Sequence, residues 1–430
     1  VTPSSKLRKQ PNVIIILADD MGYGDPSCYN GWIDTPNIDR LAAEGMAFTD
    51  FHSSGAVCSP TRAGLLTGRY QQRAGIDGVI TAAKHRHLGL KPQEITVSKL
   101  LQGSGYATAV FGKWHLGYEK QFNPIYHGFD QFRGYVAGNV DYISHIDQTG
   151  VSDWWDQDQL VDEPGYVTHL VTQHSIEFIR ENNDRPFLLY VAHEAPHYPY
   201  QGPNDKADRV VGGTFPAKGS REDQKEAYRE MVQEMDKGIG EILDVLQQMD
   251  LDRDTLIVFF SDNGGVPLGS NGPLRGYKND LWEGGHRVPA IVRWPGRIKP
   301  GTTCSESVIS IDIMPTMLDI CGAAVPEGHR LDGVSLASCL LDQTPPRART
   351  LFWKNGDQHA VRSGQWKLLV GAKGMEGDAS LGLFDLSSDL SEQNNVAEQF
   401  PEVVAELQRQ LDEWIRDIHG EEGGVKREQQ

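Results

Sequence analysis

The sequence predicts an α/β protein: a large mixed, mostly parallel sheet sandwiched by helices, then a smaller antiparallel sheet with one helix. Three observations predict it. Short apolar runs rich in β-branched residues alternate with amphipathic helical stretches, the pattern of a parallel sheet covered on both faces. Polar clusters sit directly after the carboxyl ends of those runs. Past Pro315 the pattern gives way to short strands and a final amphipathic helix.

In chain order, Val13-Ile14-Ile15-Ile16-Leu17 reads as a buried parallel strand bounded by Asn12 and Asp19. Residues 38–44 read as a short helix ended by Gly45, and 46–51 as a strand. Cys58 follows in a loop, and a helix begins at Pro60, whose missing N–H costs nothing in a first turn. Residues 97–102 and 222–248 are helical, whereas 107–111, 187–191 and 256–260 are strands. A helix closes at 318–321, and 326–346 is loop-rich. Strands at 351–353, 359–362, 366–370 and 382–385 precede a helix at 403–415. The chain is therefore divided into an α/β domain over 1–335 and an α+β subdomain over 336–430.

Composition narrows the partners. Forty-one basic and 59 acidic residues give a net charge of −18, which argues against nucleic acid. An anionic substrate must then be drawn by a local cationic pocket rather than by the whole surface. No run of about 18 apolar residues exists, so no membrane span is expected. The chain begins Val1-Thr2-Pro3, with neither an initiator Met nor an apolar signal core. We read a targeting segment as removed and expect a periplasmic or secreted protein. Apart from Cys58, the cysteines are Cys28, Cys304, Cys321 and Cys339, without metal-ligand spacing, and the sequence does not decide whether any of them pair.

The polar clusters share one edge. Asp19 and Asp20 end the first strand, Lys113 and His115 follow another, His193 and His197 a third, and Asp262 and Asn263 a fourth. In open α/β sheets the carboxyl edge is where ligands bind, so these residues should converge on one crevice. Asp19, Asp20, Asp262 and Asn263 together offer four hard oxygen ligands, which suit Ca²⁺ better than the tighter octahedron of Mg²⁺. Each pair alone could equally cap a strand end. Residue 58 lies beside a helix N-terminus, where free N–H groups favour anions, and Arg62 is one turn further on.

Cys58-Ser59-Pro60-Thr61-Arg62 continues as Ala63-Gly64-Leu65-Leu66-Thr67-Gly68-Arg69. This string resembles the sulfatase signature, in which the cysteine is oxidised to formylglycine. Residues 11–24, 35–70, 112–117 (Gly-Lys-Trp-His-Leu-Gly), 195–199, 261–265 and 273–289 are also similar, in the same order, to sulfatases of the arylsulfatase A type. The resemblance implies the alkaline phosphatase-like fold, one Ca²⁺, and a formylglycine-generating enzyme as maturation partner. Its chemistry is that of a hydrated aldehyde: one hydroxyl attacks sulfur, and the other lets the residue collapse back and expel sulfate. Carried over by position, Asp19, Asp20, Asp262 and Asn263 hold the metal together with the residue at 58, and Arg62 holds that residue. Lys113, His115 and Lys278 contact sulfate and nucleophile. His197 or Lys278 protonates the leaving alcohol, His115 takes the proton that permits elimination, and Asp262 accepts one from the diol. Ser144 matches a weaker Ser-His motif. His193 has no counterpart and is read as structural, and Glu283 and Arg287 as a loop-bracing ion pair.

Substrate contacts are read from softer features. Trp154 and Trp155, in a polar insertion, could stack on sugar rings or pack the loop. His87, in Lys84-His85-Arg86-His87, could touch an anionic glycan or lie on a solvated loop. Trp353 and His359 could reach the cleft rim. The expected activity is hydrolysis of sulfate monoesters on a sulfated polysaccharide or oligosaccharide. The alternatives are a phosphonate monoester or phosphodiester hydrolase of the same superfamily, or a catalytically silent binder of sulfated glycans.

Overall fold

The structure, a computed structural model, describes residues 10–375 and 380–420. In chain order its first half contains β1 (Asn12–Ala18), α1 (Pro36–Glu44), β2 (Met46–Phe48), β3 (Phe51–His52), α2 (Cys58–Thr67), α3 (Val97–Gly103), β4 (Ala107–Lys113), β5 (Gln131–Tyr135), β6 (Trp155–Asp156), β7 (Gln159–Leu160), α4 (Val167–Glu181) and β8 (Phe187–Ala192). Then follow α5 (Gln224–Gln248), β9 (Thr255–Ser261), α6 (Glu283–His286), β10 (Ala290–Arg293), β11 (Thr302–Cys304), β12 (Val308–Ile309), α7 (Ile313–Cys321) and α8 (Ala337–Asp342). The chain closes with β13 (Thr350–Asn355), β14 (Gln358–Ser363), β15 (Trp366–Val370), β16 (Leu381–Asp385) and α9 (Pro401–Gly420).

The main sheet runs in the order β11-β2-β10-β9-β1-β8-β4-β5-β6-β7. Its centre is parallel: β1 pairs with β8 and β9, and β4 with β8 and β5. Alternation along β1 divides the core. Val13, Ile15 and Leu17 face one cluster with residues of α2, α3 and α7; Ile14, Ile16 and Ala18 face the other with α1, α4 and α5. The register aligns Leu17 with Ala192 and Ala18 with Ser261. The segments that leave β1, β8, β9 and β4 therefore emerge at one edge, as the polar clusters require.

Two readings are corrected. The expected strand at 46–51 is two: β2 joins the main sheet, while β3 pairs with β12 in a separate ribbon. The break falls where Asp50 turns into a buried ionic network, with its carboxylate 2.9 Å from His52 Nε2 and 2.8 Å from Arg362 Nη1. The helix expected from Pro60 starts at Cys58 itself. Helix α4 and the antiparallel strand β10 were not anticipated.

The C-terminal sheet, β13-β14-β15-β16, is antiparallel throughout. Helix α9 covers it with Leu407, Leu411, Trp414 and Ile418, one stripe at helical spacing. The same cluster includes Ala56, Tyr70, Leu281 and Trp282, so this sheet packs directly against the segments flanking Cys58 and Lys278. No described helix is long and apolar enough to cross a membrane.

Candidate active site

Cys58 is the first residue of α2, every residue of which is buried. Its sulfur lies 3.2 Å from Lys278 Nζ and 3.6 Å from Asp19 Oδ1. Burial first, and Asp19 second, push the thiol up to about 12, so the unmodified side chain is a poor nucleophile at neutral pH.

Around it, carboxylates and cations interlock. Lys113 pairs with Asp19, both fully buried. Lys278 Nζ is 2.6 Å from Asp20 Oδ1. Arg62 donates from Nη2 and Nε to Asp262 Oδ2 at 2.9 and 3.0 Å, and from Nη1 to the Lys113 carbonyl at 3.0 Å. Arg62 thus braces Asp262, with Asp19 Oδ2 at 3.4 Å. Burial opposes ionisation of Asp19, but Lys113, His197 and Arg62 hold its carboxyl well below the usual range. Burial and then Asp19 push Asp262 up to about 6, against the opposing pull of Arg62 and Lys113: carboxylates crowd one another here.

That crowding is the first sign that the site fits a metal. The second is a set of orphaned oxygens: Asp20 Oδ2 and Asn263 Oδ1 are buried without a hydrogen-bond partner. The Asn263 amide donates to Asp20 Oδ1 at 2.8 Å, which fixes its orientation and leaves its oxygen free. Asp19, Asp20, Cys58 and His197 each place a ligand atom within 4.8 Å of the others. Hard carboxylate and amide oxygens suit Ca²⁺ or Mg²⁺.

Two histidines border this cluster. His197 Nδ1 donates to the Tyr198 carbonyl at 2.6 Å, so Nε2 is left facing Asp20 Oδ2 at 3.7 Å. Burial and Lys278 push it down to about 4. His115 donates from Nε2 to the Ile80 carbonyl at 3.0 Å, and its buried Nδ1 has no partner. Burial and Lys113 hold it neutral. A Cβ at residue 138 would meet His115 Nε2 at 2.8 Å, so Gly138 is what admits the ring.

With this geometry in view, comparison with known proteins decides the family. The sulfatase family model matches residues 11–323, and a model of the N-sulphoglucosamine sulphohydrolase C-terminal region matches 277–417. N-acetylgalactosamine-6-sulfatase of Canis lupus familiaris is 35% identical over 387 residues, 83% of this chain and 71% of that protein.

The chain belongs to the sulfatase family.

Arylsulfatase G of Rattus norvegicus is 31% identical over 481 residues, covering 95% of this sulfatase and 87% of the relative. The crystal structure of Ps i-CgsB in complex with k-i-k-neocarrahexaose superposes with a TM-score of 0.84 at 29% identity, over 94% of this chain and 92% of that one. A phosphonate monoester hydrolase of Agrobacterium radiobacter shares the fold at TM-score 0.68 and 21% identity, over 95% and 96% of the two chains. The protein is thus a sulfatase enzyme with the alkaline phosphatase-like fold.

The residues expected to touch substrate are not all brought to the crevice. Trp154 is a correction: it is 2% exposed, stacked on His145 at 4.6 Å, and donates to Glu163 at 2.7 Å, so it packs the insertion. Trp155 lies in β6, beyond β4 and β5 in the sheet, and donates to Asp153. Trp353 is fully buried, stacked on His286 at 4.3 Å, and does not reach the rim. His359 is partly buried beside the pair of Lys354 with Asp77. His87 is exposed. Ser144 sits in the turn after Tyr142, whose hydroxyl donates to the His197 carbonyl, but its own hydroxyl is buried and unpartnered. His193 is fully buried with neither ring nitrogen bonded, in keeping with a structural residue. Glu283 and Arg287 form the expected ion pair at 3.3 Å.

One residue was missed. Tyr198 is partly exposed, with its ring 4.2 Å from that of His197. Burial pushes its hydroxyl above the ordinary value, with Lys278 opposing. The Pro196-His197-Tyr198-Pro199 string contained it, but only its histidine carried a chemical signal.

The Lys278 loop is held from behind. The Lys278 N–H donates to the Gly265 carbonyl at 3.0 Å, and the Asn279 carbonyl accepts from Asn355 and Gln358 of the C-terminal sheet at 2.8 and 3.2 Å. Gly284 and Gly285 permit the crossing: a Cβ on Gly285 would meet the Asp280 carbonyl oxygen at 1.9 Å.

Proposed function

We propose that this sulfatase hydrolyses sulfate monoesters on a sulfated polysaccharide or oligosaccharide, with Cys58 converted to formylglycine and one Ca²⁺ bound. The observation that carries this reading is the convergence of Cys58, Lys278, Asp19 and Asp20 on one point, with buried oxygens left unsatisfied beside it. Asp19, Asp20, Asp262 and Asn263 would hold the cation, together with residue 58. When bound, it supplies positive charge to sulfate and to the nucleophile. Formylglycine would supply a diol that attacks sulfur and then releases it.

The remaining steps rest on this chain's own side chains. Lys113 and Lys278 offset charge on the sulfate oxygens. His115 presents a free Nδ1 lone pair and serves as base toward residue 58. Of the two candidate donors to the leaving alcohol, Lys278 carries its proton at neutral pH. Burial would lower its ammonium, but Asp20, Cys58 and Asp19 hold it well above the usual value. His197 is neutral with its Nδ1–H tied to Tyr198, which favours Lys278 as donor.

A saccharide substrate is supported by Ps i-CgsB, solved with a neocarrahexaose, and by relatives named N-acetylgalactosamine-6-sulfatase. Marine galactans and animal glycosaminoglycans both fit. We further propose that the protein is exported, that a formylglycine-generating enzyme matures it, and that residues 336–430 form a distinct subdomain, supported by the separate four-stranded sheet. The test has two parts. The peptide containing residue 58 should be lighter than its cysteine form, and a screen of sulfated saccharides should release inorganic sulfate. An aldehyde-bearing enzyme that hydrolyses aryl phosphodiesters faster than any sulfate ester would instead support the phosphodiester reading.

A further inference from the structure

Away from the crevice, a second cysteine pair has a geometry that the sulfatase chemistry does not use. Cys304 Sγ and Cys339 Sγ lie 3.7 Å apart, both side chains buried. Cys304 ends β11, the three-residue edge strand of the main sheet, which pairs among the described residues with β2 alone. Cys339 is in α8, a six-residue helix set among loops. Both residues line a cavity of about 200 Å³, with Met46, Thr302, Glu306 and Gln343.

We propose that Cys304 and Cys339 form a disulfide that staples the sheet edge to α8, made by exchange with a glutathione-type disulfide. A sulfur–sulfur bond is about 2.05 Å long, so less than about 2 Å of separation has to close. The Cys304 thiolate attacks one sulfur of the small disulfide, whose S–S bond breaks; the departing thiolate takes a proton and leaves as a thiol. The Cys339 thiol then loses its proton and attacks Cys304 Sγ, expelling the second small thiol. Two protein thiols are oxidised and one external disulfide is reduced to two thiols.

The electrostatics agree with that order. The hydrogen bond from Cys339 brings the Cys304 thiol down to about 7, whereas burial pushes Cys58 up to about 12 and Cys321 up to about 11. Cys304 therefore has the thiolate that exchange needs. The staple also has a mechanical neighbour. The Cys304 carbonyl accepts from Thr49 N–H at 3.0 Å, and the Thr49 carbonyl accepts from Arg287 Nε at 2.9 Å. It anchors one end of a line of contacts leading to the segment behind Lys278.

The experiment uses the full purified chain, reduced with dithiothreitol, desalted, incubated with oxidised glutathione, quenched with iodoacetamide and digested without reduction. The expected product joins the peptides carrying residues 304 and 339, lighter by two hydrogens than their sum and free of glutathione. Its formation should raise Tm by about 3–5 °C for a loop of this length in a chain of this size, reversed by dithiothreitol. Cys339→Ser, which keeps a donor to Cys304 but cannot form the disulfide, should give a Cys304–glutathione adduct and no rise in Tm. Recovery of both cysteines singly alkylated, or as two separate glutathione adducts, would overturn the proposal.

Discussion

Lys367 Nζ lies 2.9 Å from Glu283 Oε1 and 2.8 Å from Glu392 Oε1, and all three side chains are buried. It comes from β15 of the C-terminal sheet, whereas Glu283 begins α6, a few residues beyond Lys278. Asp50, Arg287 and Arg362 complete the group, so three carboxylates meet three cations. Burial opposes ionisation of Glu283, but Lys367 and then Arg362 hold its carboxyl well below the usual range. The second sheet is thus joined to the Lys278 loop by charge as well as by packing.

Removing one member should therefore cost more than a surface ion pair would. In Lys367→Met, Glu283 and Glu392 remain buried with less compensation, a loss of about 3–5 kcal/mol for a broken buried pair. The expected outcome is a large drop in Tm, together with reduced kcat through a loosened Lys278. A variant melting within a degree of the parent would contradict the role of this network.

Much of this was legible in the sequence. Asp19, Lys113, His197 and Asp262 could be placed because each follows an apolar run, and parallel strands bring their carboxyl ends to one edge. Helix α4 was not legible, because the polar residues Thr168, Thr172 and Ser175 occupy positions of its buried stripe. Strand β10 could be read only with its partners, since direction is a property of pairing. Trp154 was ambiguous for a similar reason: a Trp flanked by aspartates looks exposed until His145 is known to lie against it.

Chelation should destabilise the protein as well as silence it. Asp20 Oδ2 and Asn263 Oδ1 have no hydrogen-bond partner, and a cation bound only by the folded state adds about 2.7 kcal/mol at one hundred times its Kd. Tm should fall on exhaustive treatment with a chelator and return with Ca²⁺. An unchanged Tm after verified metal removal would count against a metal at these residues.

Residue 58 should separate chemistry from folding. Cys58→Ala should retain the parental fold by circular dichroism and lose all turnover. Cys58→Ser would offer a single hydroxyl with no route to expel sulfate, so it should not turn over repeatedly. Multiple turnovers by the serine variant would sink the diol scheme.

Trp154→Ala should behave as a core truncation. The indole is buried, and such a change costs about 3–5 kcal/mol. Activity lost on a sulfated saccharide and on a small aryl sulfate should fall together, in proportion to folded protein. Selective loss on the saccharide would restore the stacking role.

His193 should shape the acid limb of the stability curve. Its ring is fully buried with no hydrogen-bond partner, and burial alone pushes it down to about 3. An unfolded histidine titrates near pH 6.5, at about its ordinary value. The folded state therefore binds fewer protons than the unfolded state between these two values. The stabilisation is complete above about pH 6.5 and is lost as pH falls toward 3, with a slope of about 1.4 kcal/mol per pH unit for the one proton. His193→Gln removes that titration: it should lower stability at pH 7.5, where a buried polar group still lacks partners, yet flatten the fall between about pH 6 and pH 4. Denaturant unfolding of both proteins at a series of pH values measures the two slopes. Parallel curves would show that His193 gains protons equally in both states, and so is not held neutral by the fold.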